Sequence, residues 1–514
     1  MMRSGMISST WVFAGFAALL GSQDGDTDAA PVTPPVGLQA IAALVEEVKL
    51  ENGWTFLLVP RPAAPVVSFE TYVNVGSIHE QIGRSGLAHM LEHMAFKGSD
   101  RVGSLDWEAE RDALEQVEER YRDVLAARSR NDEPALKAAE AALHVARTAA
   151  AKFVDVEAFS RLLEDAGGVD SLNASTTAED TRYVVSLPAN QIELWCWLEA
   201  ERFKRPVLRE FYSERDAVME ERRMRVESNP FGLLLEQLQL NAFQTHPYRN
   251  PVVGYAADIA NFSRTEADYF FLEHYGARNL VTAIVGDIDT ETLKPLLKRY
   301  FSSIPPGPAS RPAFGTETEQ KGERRVNVSF PAQPLLAIAW HVPALEHPDY
   351  AAVDITLRLM GRSRSSRLVR RLVRQDGNAT EIEVFGGWPG NRFTNLAVVL
   401  AVPTAGAETT ALESAVYEEL TRLRLEGPSA AELESVQRVA RAELLRGLRT
   451  NEEIASLLTE YQSKTGDWRK GFTQIQALDA VTPEDVKRVL GAYFRSSNRT
   501  VTTLVSPNDA EEGK

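Results

Sequence analysis

The chain has 514 residues, 44% of them hydrophobic and 25% charged. That much apolar material supports two packed domains and excludes a collagen-like or mainly disordered chain. Lys plus Arg total 56 against 72 Asp plus Glu, and the net charge of −16 repels phosphate backbones, so nucleic acid is not an expected partner.

Residues 1–22 carry Arg3 and an apolar run from Thr10 to Leu20. A bilayer span needs ~20 apolar residues, so this run is too short to cross and fits the core of a signal peptide. Export to a periplasm or the exterior is expected, with no stable membrane span once the signal is removed. An uncleaved N-terminal anchor is the lesser alternative. Residues 23–37 read as a disordered linker, and 508–514 as a disordered tail. The single cysteine, Cys196, excludes an internal disulfide.

Ordered sequence is expected from Leu38. Val48 to Pro60 reads as a hairpin turning at Asn52-Gly53, and Val66 to Val75 as a strand. Gly83 to Gly98 places Leu87, Met90, Leu91 and Met94 at helical spacing, with Ser85 as cap and Gly98 as stop. Leu105 to Lys152 carries one apolar stripe (Leu114, Val117, Tyr121, Leu125), a polar break, then a second (Leu136, Leu143, Ala150). This predicts a helical hairpin inserted at about 105–152. Further strands and helices complete a domain over 38–302. A Pro-rich linker follows at 303–324, and a similar order of elements recurs over 325–507, suggesting internal duplication. In that half helices are expected at Asp349–Leu359, Glu408–Leu425 and Ala430–Leu448, then a C-terminal strand, Thr500–Val505.

The sharpest signal is His89-Met90-Leu91-Glu92-His93. Helix positions four apart lie one turn apart on one face, so two imidazoles can meet one metal ion with a carboxylate beside them. With only 8 His in the chain, composition alone produces this pattern about once in a hundred such sequences. Two histidines need a third ligand. Glu214, Val218 and Glu221 share a face of the helix near 213–227, which makes Glu221 the candidate ligand and Glu214 a carboxylate that orients it or its water network.

The motif is the inverted zinc signature, and the chain resembles the pitrilysin, insulin-degrading enzyme and mitochondrial processing peptidase family of zinc metallopeptidases. The resemblance extends through Gly83 to Ala88, Asn173-Ala174-Ser175-Thr176, Glu214-Arg215-Asp216 and His246-Pro247-Tyr248 to Ser365-Ser366-Arg367-Leu368 in the second half. It implies an α+β fold of two homologous domains, each an antiparallel-rich mixed sheet with helices on one face, enclosing a substrate cavity. It also implies one Zn2+ per chain held by His89, His93 and Glu221, with Glu92 as general base. Asn173 and Ala174 would lie on an edge strand that pairs with substrate backbone. His93 and Glu221 stand 128 positions apart, more than is usual in the family, and the inserted hairpin accounts for the excess. Where members carry an Arg and a Tyr that bind substrate and the oxyanion, this chain has Arg374 but Thr380 or Glu381.

The expected function is therefore zinc-dependent endopeptidase action on peptides or unfolded segments. Missing oxyanion donors point to a second subunit, in a homodimer or a heterodimer with a homologue. The rival is a non-catalytic subunit that binds peptide or supports assembly and retains zinc; three ligands plus a spare base argue against it.

Overall fold

The computed structural model describes residues 38–309 and 316–507. The expected signal peptide, the 23–37 linker and the C-terminal tail lie outside those residues.

Two mixed sheets form the frame. The first contains β1 (Glu46–Lys49), β2 (Thr55–Pro60), β3 (Val66–Val73), β4 (Asn173–Thr176), β5 (Thr181–Pro188) and β6 (Leu280–Gly286), in the order β1-β2-β6-β3-β5-β4. The second contains β7 (Arg324–Ser329), β8 (Leu335–Val342), β9 (Ala379–Trp388), β10 (Asn395–Pro403) and β11 (Arg499–Val505), in the order β7-β11-β8-β10-β9. Only β2–β6 and β7–β11 are parallel. Strand order and strand sense from β2 to β4 thus repeat from β7 to β9, which makes the duplication visible in the topology. Both sheets are the antiparallel-rich mixed kind that the sequence led us to expect.

Burial follows each strand's place in its sheet. β8 is buried at all eight positions, because helices cover both of its faces, and its sequence is continuously apolar apart from His341. At the edge, β7 alternates half-buried and exposed residues. The hairpin turn at Asn52-Gly53 forms as expected. Gly53 adopts φ +98°, and the Asn52 amide donates to the carbonyls of Phe301 and Ile304 at 2.9 and 3.0 Å.

The two halves exchange a helix. The helix Asn451–Thr465 packs on β3 and β6 of the first sheet, where Ile454, Ala455 and Leu458 meet Leu57, Val59, Ala283 and Val285. In return, Pro230–Ala242 packs on β7, β8 and β11, with Leu234 and Leu238 against Ala337, Ala339 and Leu504. Each fully buried aliphatic side chain of this kind contributes ~1.5–3 kcal/mol, so the exchange ties the halves firmly together. The sequence reading had no counterpart for Asn451–Thr465, nor for the helices Arg469–Asp479 and Pro483–Tyr493 that follow it.

The inserted segment is a pair of helices, Trp107–Ser129 and Glu133–Ala150, capped by Asp106 and Asp132. Leu114, Val117 and Tyr121 of its first stripe are buried, but Val124 completes the stripe where Leu125 was expected, and Leu125 is half-buried. At its base the Arg209 guanidinium, wholly buried, pairs with Glu110 at 2.7 Å and donates to the carbonyls of Ser99 and Val102.

Candidate metal centre

The motif helix runs from Leu87 to Met94. Its first turn departs from expectation: Gly86, not Ser85, is the N-cap. Gly86 sits at φ +98°, and a Cβ there would stand 2.5 Å from the Val253 carbonyl oxygen, so only glycine fits. The free N–H groups of Gly86 and Ala88 instead donate to the buried Glu80 carboxylate, each at 2.8 Å. The Ser85 hydroxyl is already committed to Asp258, at 2.6 Å.

His89 and His93 lie one turn apart, their rings 4.9 Å between centroids. The helix Phe211–Arg222 brings Glu221 across to them. Glu221 Oε2 stands 3.6 Å from His89 Nε2 and 3.3 Å from His93 Nε2. One donor atom from each of the three residues lies within 4.8 Å of the others. Bonds of about 2.0–2.1 Å to a tetrahedral zinc separate its ligands by about 3.4 Å, so this donor set fits such an ion. His89 supplies a second argument. Its ring is 3% exposed and neither nitrogen has a hydrogen-bond partner among the described residues. Leaving a buried polar atom unmade costs about 1–3 kcal/mol, a cost that coordination at Nε2 removes.

The electrostatics suit a cation. Burial, helped by the neighbouring His93, lowers the His89 pKa to about 3, so its lone pair is available. Burial alone would also lower His93, but the hydrogen bonds its protonated ring donates to the Glu214 and Glu221 carboxylates raise it to about 9. Burial pushes Glu221 up, yet His93, His89 and Arg225 together bring it down to about 2. Without metal, a proton on His93 thus occupies the charge balance that a cation would take over.

Around this core, Glu214 Oε2 lies 3.5 Å from His93 Nδ1, and Glu214 Oε1 lies 2.5 Å from the Lys97 ammonium. Arg225 holds the outer oxygen of Glu221 at 2.7 Å. Glu92, 5% exposed, accepts a 2.6 Å hydrogen bond from the Thr176 hydroxyl. Burial raises its pKa, and the Thr176 bond only partly opposes that. Thr176 closes β4, which among the described residues pairs with β5 alone and so forms an edge of the first sheet. Asn173 and Ala174 lie on that edge. The Ala174 side chain is buried, so only its main chain can face a ligand.

Lys97, Arg225 and Thr176 were missed in the sequence. Lys97 follows His93 by four and Arg225 follows Glu221 by four, a helical spacing that pointed to both. Thr176 ends the Asn173-Ala174-Ser175-Thr176 motif, but no spacing ties it to Glu92. In the second half, Thr380 and Glu381 are both exposed on β9, and the Thr380 hydroxyl donates to the Val402 carbonyl.

A family profile described as Insulinase (Peptidase family M16) matches residues 55–116 and 129–255, and one described as Peptidase M16 inactive domain matches 261–439. The chain belongs to the M16 peptidase family. The break in the first M16 match falls within the inserted hairpin. Zinc protease PqqE of Helicobacter pylori is 26% identical over 471 residues, covering 89% of this chain and 92% of that protein. A crystal structure of a protease from Helicobacter pylori superposes with TM-score 0.76 at 24% identity, over 90% of this chain and 99% of that one. The periplasmic protease PqqL from Escherichia coli superposes at TM-score 0.67 and 15% identity, covering 91% of this chain but 48% of its own. This chain thus has the M16 two-domain fold. Among the described residues, no helix is long and apolar enough to cross a membrane.

Proposed function

We propose that the chain is a zinc-dependent endopeptidase, with a catalytic domain over 38–302 and a homologous second domain over 325–507. The observation that carries this is the convergence of His89, His93 and Glu221 beside a buried glutamate under an edge strand. His89 and His93 would bind one Zn2+ through Nε2, with Glu221 as third ligand. Three protein ligands leave a position for solvent, as catalytic rather than structural zinc sites do. When bound, zinc supplies Lewis-acid polarisation and lowers the pKa of an attacking water from 15.7 to about 7.

The residues of the chain do the rest. An extended peptide adds to the β4 edge at Asn173 and Ala174 through main-chain hydrogen bonds, which asks little of its sequence. Glu92 takes the proton of the attacking water and passes it to the leaving amine. Its raised pKa brings it nearer to neutrality, where a general base works best. Thr176 fixes one Glu92 oxygen and leaves the other for that transfer. Glu214 holds the far nitrogen of His93, fixing the ring's orientation.

Thr380 and Glu381 offer no tyrosine hydroxyl to a developing oxyanion. Loss of one such donor typically lowers the rate ~100-fold to 1,000-fold, so we infer that a second subunit supplies it. PqqL, whose chain is about twice the matched length, supports this reading. Its periplasmic setting also supports export of this chain.

The test compares wild type with Glu92→Gln on a quenched, unstructured peptide while zinc content is measured. Equal zinc with cleavage lost in the variant supports the enzyme. No turnover by wild type, alone or with candidate partner subunits, favours the peptide-binding subunit.

A further inference from the structure

The strand pairs β4–β5 and β9–β10 are equivalent edge hairpins of the two sheets, and their tips meet. Glu179, in the turn between β4 and β5 and fully buried, makes the polar contact between them. One carboxylate oxygen accepts the Arg392 backbone N–H at 2.7 Å, from the β9–β10 turn, and the Tyr248 hydroxyl. The other oxygen pairs with the Lys464 ammonium at 3.0 Å, on the exchanged helix Asn451–Thr465. Lys464 also donates to Asn391 in the same turn, at 2.7 Å. Gly390 leaves the carboxylate its room: a Cβ there would stand 2.5 Å from Glu179 Oε1.

The turn that carries Glu179 is stiff. The backbone N–H groups of Glu179 and Asp180 both donate to the Thr177 hydroxyl, at 3.0 and 3.1 Å, and Thr177 N–H donates to the Asp180 carbonyl at 2.8 Å. Two backbone bonds, from Ser77 and Ile78 to the carbonyls of Thr177 and Ala178, tether it to its own half. Thr176, whose hydroxyl holds Glu92, is the residue immediately before this turn. A displacement of Glu179 therefore moves Thr176 with it.

We propose that Glu179 is a positioning residue through which the second half of the chain sets Thr176 against Glu92. The second half of the chain is then coupled to the general base by three residues of chain. The proposal rests on the peptidase reading for its effect on rate, but not for its structural content. A buried charge pair that loses one partner is strongly disfavoured, so the contact resists opening.

The test uses the full zinc-loaded chain and the variants Glu179→Gln, Gly390→Ala, Thr176→Val and the double variant Glu179→Gln/Thr176→Val. Gly390→Ala presses on Glu179 from the second half without altering any charge, and it serves if Glu179→Gln fails to fold. Crystals of Glu179→Gln or of Gly390→Ala should show Thr176 Oγ1 and Glu92 Oε2 parted beyond 3.5 Å. Glu179→Gln and Thr176→Val should each lower kcat about 10-fold to 100-fold, with KM and zinc content within twofold of wild type. In the double variant the loss should be no greater than in Thr176→Val alone, because both act on one contact. An unchanged 2.6 Å separation, or losses that multiply in the double variant, would overturn the proposal. Wild type that holds zinc and cleaves no peptide would end the peptidase reading instead, and the crystallographic separation would still decide the role of Glu179.

Discussion

Glu214 and His93 meet at 3.5 Å, carboxylate to Nδ1, on the side of the ring away from Glu221. The contact fixes which nitrogen points into the site and makes it a better donor. Glu214→Gln should weaken zinc binding about 10-fold to 100-fold, read by competition with a chromogenic chelator. The neighbouring Glu220, exposed and paired with Arg223, should give a Glu220→Gln variant with unchanged zinc affinity.

The pH dependence of zinc binding follows from His93. Its metal-free pKa of about 9 lies above the ordinary 6.5, so at neutral pH zinc must displace a proton. Zinc affinity should rise about tenfold per pH unit up to that value and then level off. Folding shows the same linkage. The protonated His93 stabilises the metal-free chain fully below pH 6.5, and that contribution fades as pH rises through about 9. The gap between the melting temperatures of zinc-loaded and metal-free protein should therefore widen between pH 6.5 and 9, as calorimetry at each pH would show.

Recognition through the β4 edge predicts sensitivity to the peptide backbone. Methylating one amide nitrogen that pairs with the edge removes one hydrogen bond, worth about 0.5–1.5 kcal/mol, and should raise KM about 2-fold to 10-fold. Scanning N-methyl positions along a cleavable peptide should give losses that alternate with strand periodicity. A flat profile would place the peptide elsewhere.

Arg209 anchors the inserted hairpin at its base through Glu110. Arg209→Met leaves the wholly buried Glu110 without its cation, and loss of one partner from such a pair costs about 3–5 kcal/mol. Chemical denaturation should register that loss. The double variant Arg209→Met/Glu110→Leu should recover much of it, because no buried charge is then left unpaired.

The site was legible where its logic is local. His89 and His93 announce themselves through helical spacing, and Glu214 and Glu221 through a shared helical face. The inserted hairpin showed in its stripes of Leu114, Val117 and Tyr121. What escaped was set by tertiary packing. Thr176 meets Glu92 only because β4 runs beneath the motif helix, and a lone threonine carries no pattern that says so. Ser85 resembled a cap, but Asp258 claims its hydroxyl from 173 residues away. Ile454, Ala455, Leu458 and Tyr461 do form a helical stripe, yet nothing in its spacing tells which sheet it covers.

Anomalous diffraction at the zinc edge, from crystals of the zinc-loaded chain, is the most direct measurement of the centre. One peak per chain is expected, about 2.0–2.2 Å from His89 Nε2, His93 Nε2 and a Glu221 oxygen, with no fourth protein ligand. A peak elsewhere, or Glu221 turned away from the two imidazoles with no carboxylate replacing it, would contradict a zinc centre of these three ligands.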